Sequence, residues 1–429
     1  MKTILFFIGI LTGVNPLLWA ETLNYQSAIQ KYIDVSTQIK AAGLNAQAAQ
    51  NDYKEAWTTL VPSIDLTGSV GEQKLSLGSL FGGSGVLTSR SYFVGLKTTH
   101  AFIAGGRIWG TLDLKENLRD SSRLKLKSVK QKLILGFSEK LYRFQALHQK
   151  LDLVKQSQKT QEGFLNITKS KFKRGNVRSY EMDQVTAEYY SYYPRIRELE
   201  RNLVNLSAEI HSDLLVPPGT LQFSLDRDAP VARVDLLSED RLLQEASERR
   251  PDIKESELAV EIAELNKTIV MSAHYPSLVF QGQWGYLSSS SDNLFDTTDT
   301  GNSFSLVLSI PIFSGLSSVY ARRSAENKIM INEKDLAQKR RDLKAEVVSA
   351  LEDYNASLES IRYTKKWAES SESALVKGGK SYRTGIINNT QLVQLQQSKE
   401  RAASAYIDAK VALRMAVLRL KYTLGRDIF

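Results

Sequence analysis

The sequence contains no cysteine. That absence removes disulfides, thiolate metal sites, cysteine nucleophiles and an N-terminal lipid on cysteine. Histidine is nearly as scarce: His100, His148, His211 and His274 are scattered without ligand spacing, so no metal site and no cofactor is expected. No cluster of convergent titratable groups stands out either, and no enzyme chemistry is expected. Long apolar runs are also missing, except from Ile4 to Leu18, where Gly9, Gly13 and Pro16 break the run and the small Ala20 follows. This reads as a secretory signal peptide over residues 1–20 with cleavage after Ala20. A membrane anchor is the competing reading, weakened because a span needs ~20 apolar residues.

Charge is plentiful but mixed. Lys and Arg number 56 against 47 Asp and Glu, a net +9, and the signs interleave along the chain. Interleaving describes solvated helix surfaces, so no nucleic-acid partner is expected. At 429 residues the chain has room for two domains or one repeated architecture.

Hydrophobic periodicity divides the rest into long helical tracts and four short alternating runs. Asn24 to Leu60 reads as helix ending at Pro62. Then Ile64, Leu66 and Val70 alternate with Asp65, Thr67 and Ser69, the period of a half-buried strand. A Gly/Ser-rich turn, "LGSLFGGSG", leads to "YFVGLKTTH", with Tyr92, Val94 and Leu96 facing opposite to Phe93, Gly95 and Lys97. After "FIAGGR" a helix is expected to about Lys173, its seam marked by Leu126, Val129, Leu133, Phe137, Leu141, Phe144, Leu147, Leu151 and Val154. At ~1.5 Å per residue it would be on the order of 100 Å long. Pro194 should kink the returning helix, for a bend with a purpose or as plain packing.

The second half repeats the order. Pro62 and Pro276, Phe102 and Phe313, and Gly175 and Gly385 lie 214, 211 and 210 residues apart, a duplication signal. The expected divisions are repeat 1 over 21–215, a connector over 216–235, and repeat 2 over 236–429. Strands are expected at 63–72, 90–103, 277–287 and 302–312.

The strands set Leu278, Phe280, Trp284 and Tyr286 against Gln281, Gln283 and Gly285, and Phe304, Leu306, Leu308 and Ile310 against Ser303, Ser305 and Ser309. Apolar-out with Ser, Gln and Gly inside is the pattern of an outer-membrane barrel wall, and ~9–11 residues suffice to cross. A soluble sandwich would need a second covering sheet, which this chain does not offer. Open edges are not viable in lipid, so four strands must close with other copies.

The residues resemble the TolC-type outer membrane efflux family over essentially the whole mature chain. The resemblance is carried by "RRPDI" (Arg249 to Ile253), "IPIFSGL", "FIAGGR", "LLVPPGT" and the paired turns "KFKRGNVRSYEMDQV" and "SYRTGIINNTQLVQL". It implies a mainly α fold with membrane β: a homotrimer whose protomers give four strands each to a 12-stranded barrel in outer-membrane lipid, with a helical tunnel in the periplasm. It implies passive conduction as the exit duct of a tripartite efflux pump, with a periplasmic adaptor and an inner-membrane transporter as partners. A type I protein secretion duct is the alternative within the fold. A surface coiled-coil protein is the other class, opposed by the four alternating runs.

The same resemblance marks Arg250, Pro251 and Asp252 as a family motif that opens a helix. It makes Gly175, Asn176, Val177, Arg178, Gly385, Ile386 and Ile387 the adaptor-contact tips, and the apolar Val177, Ile386 and Ile387 are expected to be exposed there. It places a periplasmic gate at Glu181, Asp183, Gln184, Tyr382, Gln391 and Gln394. The chain departs from the family in having Ile387 where a gate arginine is common and Gln391 and Gln394 where acidic rings are common. Asp183 and Arg178 are the nearby candidates to replace those charges. A glutamine ring should be less cation-selective than an acidic one.

Overall fold

A computed structural model describes residues 21–76, 86–217, 221–223, 238–292, 294, 300–313 and 315–428. The expected signal peptide, the "LGSLFGGSG" turn and most of the connector lie outside these residues. In chain order the elements are β1 (Glu21–Leu23), α1 (Tyr25–Val35), α2 (Thr37–Thr58), β2 (Ser63–Ser76), β3 (Val86–Ala104), α3 (Arg107–Lys173) and α4 (Ser179–Asp213). The order continues with β4 (Leu221–Phe223), α5 (Glu239–Arg249), α6 (Pro251–Met271), β5 (Ser277–Ser288), β6 (Thr300–Ser309), α7 (Ser317–Thr384) and α8 (Asn389–Thr423). None of the described helices is long and apolar enough to cross a membrane.

The expected helix from Asn24 to Leu60 is two helices. Ser36 interrupts it: its amide still bonds Tyr32 O (2.9 Å), while its hydroxyl accepts from the Ile39 amide (3.5 Å). A serine that caps the next helix competes with helix continuation. The same break falls at Arg250, before Pro251.

Two compact units divide the chain, and each draws on both halves of the sequence. One comprises Lys40–Val129 and Gln244–Ala345, the other Met1–Ile39, Lys130–Leu243 and Glu346–Phe429.

The first unit holds an antiparallel sheet of order β2-β3-β5-β6. Opposed residues in an antiparallel pair share a face, so the register decides whether the apolar rows meet. They do: Leu66 opposes Leu96, which opposes Trp284, and Val94 opposes Tyr286. Phe280 opposes Leu306. On the other face Asp65 opposes Lys97, Lys97 opposes Gln283, and Gln283 opposes Ser303. The apolar row is out in the open, with Leu66, Trp284, Phe304 and Leu308 all exposed.

Gly95 and Gly285 face each other across β3 and β5 with almost no room. A Cβ on Gly285 would stand 2.4 Å from Gly95 Cα. Near the end of β3 the register shifts between Ala101 and Ile103, leaving Phe102 as a bulge that re-aims the last residues. Strand β6 stops at Ser309, opposite Ser277, earlier than the expected 312. Pro276 and Pro311 flank that last pair, and neither can donate to a ladder.

In the second unit the seam of α3 meets α1, α4 and α8. Phe137 and Leu141 are buried with Ile29, Tyr32, Leu206, Ile210 and Leu418, and Leu133, Phe144 and Leu147 pack against them. Tyr32 stacks on Phe137 (4.2 Å between ring centres), and the Tyr25 hydroxyl bonds Ser138 Oγ (2.8 Å). Burying such side chains contributes roughly 1.5–3 kcal/mol each. β1 pairs in parallel with β4, tying one piece of the connector to the start of this unit.

The second half retraces the first in backbone conformation. Gly105 and Gly315 (φ +59° and +66°), Gly175 and Gly385 (+76° and +82°), and Leu215 and Gly425 (+54° and +67°) are left-handed at a constant spacing of 210 residues. Helices α4 and α8 are both 35 residues long, at the same spacing.

Candidate functional site

Helices α3 and α7 end in the same way. The Asn176 amide donates to Lys171 O (3.0 Å) and the Gly175 amide to Phe172 O (2.9 Å). The Ile386 amide donates to Ser381 O (2.9 Å) and the Gly385 amide to Tyr382 O (3.2 Å). Both are Schellman turns, in which two amides past the helix satisfy its orphan carbonyls around a left-handed residue. A Cβ would meet nothing within 4 Å at either glycine, so conformation and not crowding calls for glycine here.

The following helices start with matching caps. The Gln391 amide donates to Asn388 Oδ1 (2.9 Å), and the Asn388 amide donates back to Gln391 Oε1 (3.1 Å), a complete capping box. At the first turn the Arg178 amide donates to Glu181 Oε2 (3.0 Å). Only this half exists there, because a guanidinium has no acceptor to offer. Glu181 and Gln391 therefore occupy one and the same post, the third residue of a helix.

The two turns are stitched together by Gln184. Its Oε1 accepts from Asn389 Nδ2 (3.4 Å) and from Thr390 Oγ1 (3.3 Å), and Asn389 Nδ2 also reaches Glu181 O (3.4 Å). Asp183 and Gln394 are exposed, as are Gly175, Asn176, Arg178 and Gly385.

Tyr382 is buried, 3% exposed, among Phe164, Leu375 and Leu392. Its hydroxyl lies 2.7 Å from Thr168 Oγ1. Thr168 already donates its proton to Phe164 O (2.8 Å), so Tyr382 is the donor between the two. Lys171 Nζ donates to the Tyr382 carbonyl and lies 4.3 Å from the centre of its ring. Burial pushes the Tyr382 phenol up, with the Glu181 charge adding to it. Burial and the nearby Arg174 pull Lys171 down.

The expectation of three exposed apolar tip residues holds for one. Ile386 is 77% exposed, but Val177 is half-buried. Ile387 turns back onto the Phe164, Leu375, Tyr382 and Leu392 cluster. Gly378, which the sequence pattern did not single out, lets the helices approach: a Cβ there would stand 2.2 Å from Leu395 Cδ1 and 3.6 Å from Ile387 Cδ1. Thr168 and Lys171 were missed too, since a partner lying more than 200 residues away leaves no local signal.

The model of one protein family, described as "Outer membrane efflux protein", matches residues 28–211 and 242–426. The chain belongs to the outer membrane efflux protein family. A probable efflux pump outer membrane protein, TtgC of Pseudomonas putida, is 22% identical over 409 residues, covering 93% of this chain and 82% of that one. The outer membrane protein TolC of Vibrio cholerae is 21% identical over 320 residues, 74% of this chain and 73% of its own. The solved outer membrane protein VceC of Vibrio cholerae shares the fold with a TM-score of 0.80 at 14% identity, covering 94% of this chain and 97% of that one.

In this outer membrane efflux protein the Arg250, Pro251 and Asp252 motif is built as a helix start. Arg250 grips Asp252 with two bonds, Nε to Oδ1 (2.9 Å) and Nη2 to Oδ2 (2.6 Å), while Oδ1 also accepts from the Ile253 amide (3.1 Å). Pro251 is buried at the first helical position. Burial works to raise the Asp252 carboxyl, but the Arg250 bonds and charge outweigh it and hold the group below its usual range.

Proposed function

We propose that this outer-membrane protein is the exit duct of a tripartite efflux pump, a homotrimer that conducts substrates passively out of the cell. The observation that carries the reading is the sheet: one mainly apolar face, one mainly polar face, and two edges, β2 and β6, without a partner strand among the described residues. An apolar face left in the open suits lipid, a polar face suits a wet lumen, and open edges in lipid demand partner strands. Cyclic closure with identical copies supplies them; three copies, giving twelve strands, is the family's arrangement.

The long helices α3 and α7, with α4 and α8, then form the periplasmic tunnel, and the recurring left-handed positions are the trace of a duplication. The turns at Gly175 and Gly385 are the tips that meet a periplasmic adaptor, itself coupled to an inner-membrane transporter. Exposed Ile386 supports that role, as does its place on a rigid, doubly capped hairpin. The gate is formed by Tyr382 and Gln184 as the ties that hold the hairpins, with Asp183 and Gln394 as the exposed polar groups nearby. Glu181 and Gln391 serve it chiefly by fixing where α4 and α8 begin. Conduction needs no chemistry, and the family is one of passive channels.

Planar-bilayer recording from the purified protein, with its mass measured in detergent, tests the reading. Discrete channels from a trimer are expected. A protein that is monomeric in detergent and silent in the bilayer would refute it.

A further inference from the structure

The two tip turns carry charge of nearly one sign. Within about 12 Å of Gly175 along the helix axes, the first hairpin has Lys169, Lys171, Lys173, Arg174 and Arg178 against Glu181 and Asp183. The second has Lys377, Lys380 and Arg383 and no carboxylate at all, with Gln391 and Gln394 in the returning helix.

Elsewhere in this unit, several cations are matched by carboxylates. Lys140 pairs with Asp213 (2.7 Å), Lys150 with Asp408 (2.7 Å), Lys155 with Glu200 (3.0 Å) and Lys399 with Glu372 (3.4 Å). At the turns, no ion pair joins any of these cations to a carboxylate among the described residues. The hydrogen bonds they do make go to backbone carbonyls, Arg174 to Ser170 O (3.3 Å) and Lys171 to Tyr382 O, which neutralise nothing. Glu181 is already engaged on the Arg178 amide. All of the cations except half-buried Lys171 are exposed. The cations on the sheet have carboxylates beside them by contrast, Lys97 standing opposite Asp65 and Arg90 and Lys74 both lying on Glu72 (3.3 and 3.0 Å).

We infer that the paired turns form an electropositive mouth that selects anions, so that chloride and small organic anions enter the duct in preference to cations. The inference rests on the duct reading above. Charges set within a Debye length of the opening, ~8 Å at physiological salt, act on every ion that passes. A mouth potential of only about one kT enriches anions over cations about sevenfold. Repeated in each copy around the axis, the excess of cations makes the entrance a ring of fixed positive charge, the inverse of an acidic filter.

Reversal potentials of the full-length protein in planar bilayers under a KCl gradient test this. Chloride is expected to permeate better than potassium. The combined Arg174→Glu, Arg178→Glu and Arg383→Glu variant should shift the ratio severalfold toward potassium. The sheet variant Lys97→Glu should leave it on the chloride side. Raising salt to about 1 M, where the Debye length is ~3 Å, should weaken the preference. Inorganic tripolyphosphate on the tip side should block current, and Mg²⁺ should not. A wild-type channel that prefers potassium overturns the inference while leaving the duct intact. So does a ratio moved by Lys97→Glu but not by the tip variant. Absence of any channel overturns the duct reading and the inference with it.

Discussion

The Tyr382 hydroxyl donates to Thr168 Oγ1 across 2.7 Å, joining α7 to α3 just before their turns. Few polar contacts in the tip are as well shielded, and it is made by groups 214 residues apart in the chain. Tyr382→Phe keeps the ring in its pocket and removes only the donor, a loss of about 1 kcal/mol. The expected outcome is a channel that still assembles but opens more often in single-channel recordings, with faster amide exchange near Gly378. Unchanged opening would show that this tie does not hold the tip.

Leu215 takes a left-handed backbone (φ +54°) at the end of α4, where the end of α8 has Gly425 (+67°). A left-handed residue with a Cβ costs roughly 1–2 kcal/mol, partly offset for glycine by its greater freedom when unfolded. Leu215→Gly should therefore raise the denaturation midpoint of the detergent-solubilised protein, and Gly425→Ala should lower it. A drop on Leu215→Gly would mean that its exposed side chain has a contact in the assembly that outweighs the strain.

The Arg250 pair holds the Asp252 carboxyl below its usual range. A group whose folded pKa is depressed contributes stability above its unfolded pKa and loses it as pH falls through the folded value. Asp252→Asn should thus lower thermal stability near neutral pH, and the gap from wild type should close as pH falls through and below the ordinary carboxylate range. Melting curves across that range decide it; a gap that persists in acid would place the effect in helix capping and not in the charge pair.

In the proposed ring of copies, the pairing of β3 with β5 implies the pairing that would close it. Leu96 opposes Trp284. β2 corresponds to β5 at a spacing of 214 (Ser63 and Ser277), and β3 to β6 at 210 (Thr99 and Ser309, the partners of those two serines). Shifting the pair accordingly (96 + 210 and 284 − 214) sets Leu306 of one copy opposite Val70 of the next. With no native cysteine in the background, Val70→Cys with Leu306→Cys should form an intermolecular disulfide, and Glu72→Cys with Leu306→Cys should not. Stronger linkage through position 72 would mean a register slipped by two residues.

Much of the architecture was legible because its causes are local. Alternation in Ile64 to Val70 and in Phe304 to Leu308 writes a strand with two unlike faces, and the seam from Leu133 to Val154 writes a helix packed on helices. Gly175 and Gly385 announce turns because so few residues accept a left-handed backbone. The pattern around Ser36 reads as continuous helix, since a serine signals a cap only once the chain has bent there. The bulge at Phe102 was equally hidden, because a bulge exists only relative to a partner strand.

Among the site residues the limit was the same. Glu181 and Gln391 were expected as gate groups, and their side chains turn back to cap their own helices. Ile387 was expected in the open and is drawn onto the Phe164 cluster.

The sequence by itself determined the elements, their two halves, and the family, because hydrophobic period and turn chemistry act over a few residues. Only the tertiary structure decided which groups meet: Tyr382 with Thr168, Gln184 with Asn389, Gly95 with Gly285. It also decided which charges stay unmatched. Whether Lys140 is neutralised by Asp213 while Arg178 is not depends on distances between chain segments brought together by packing, and Coulomb energies follow those distances and not the order of residues along the chain.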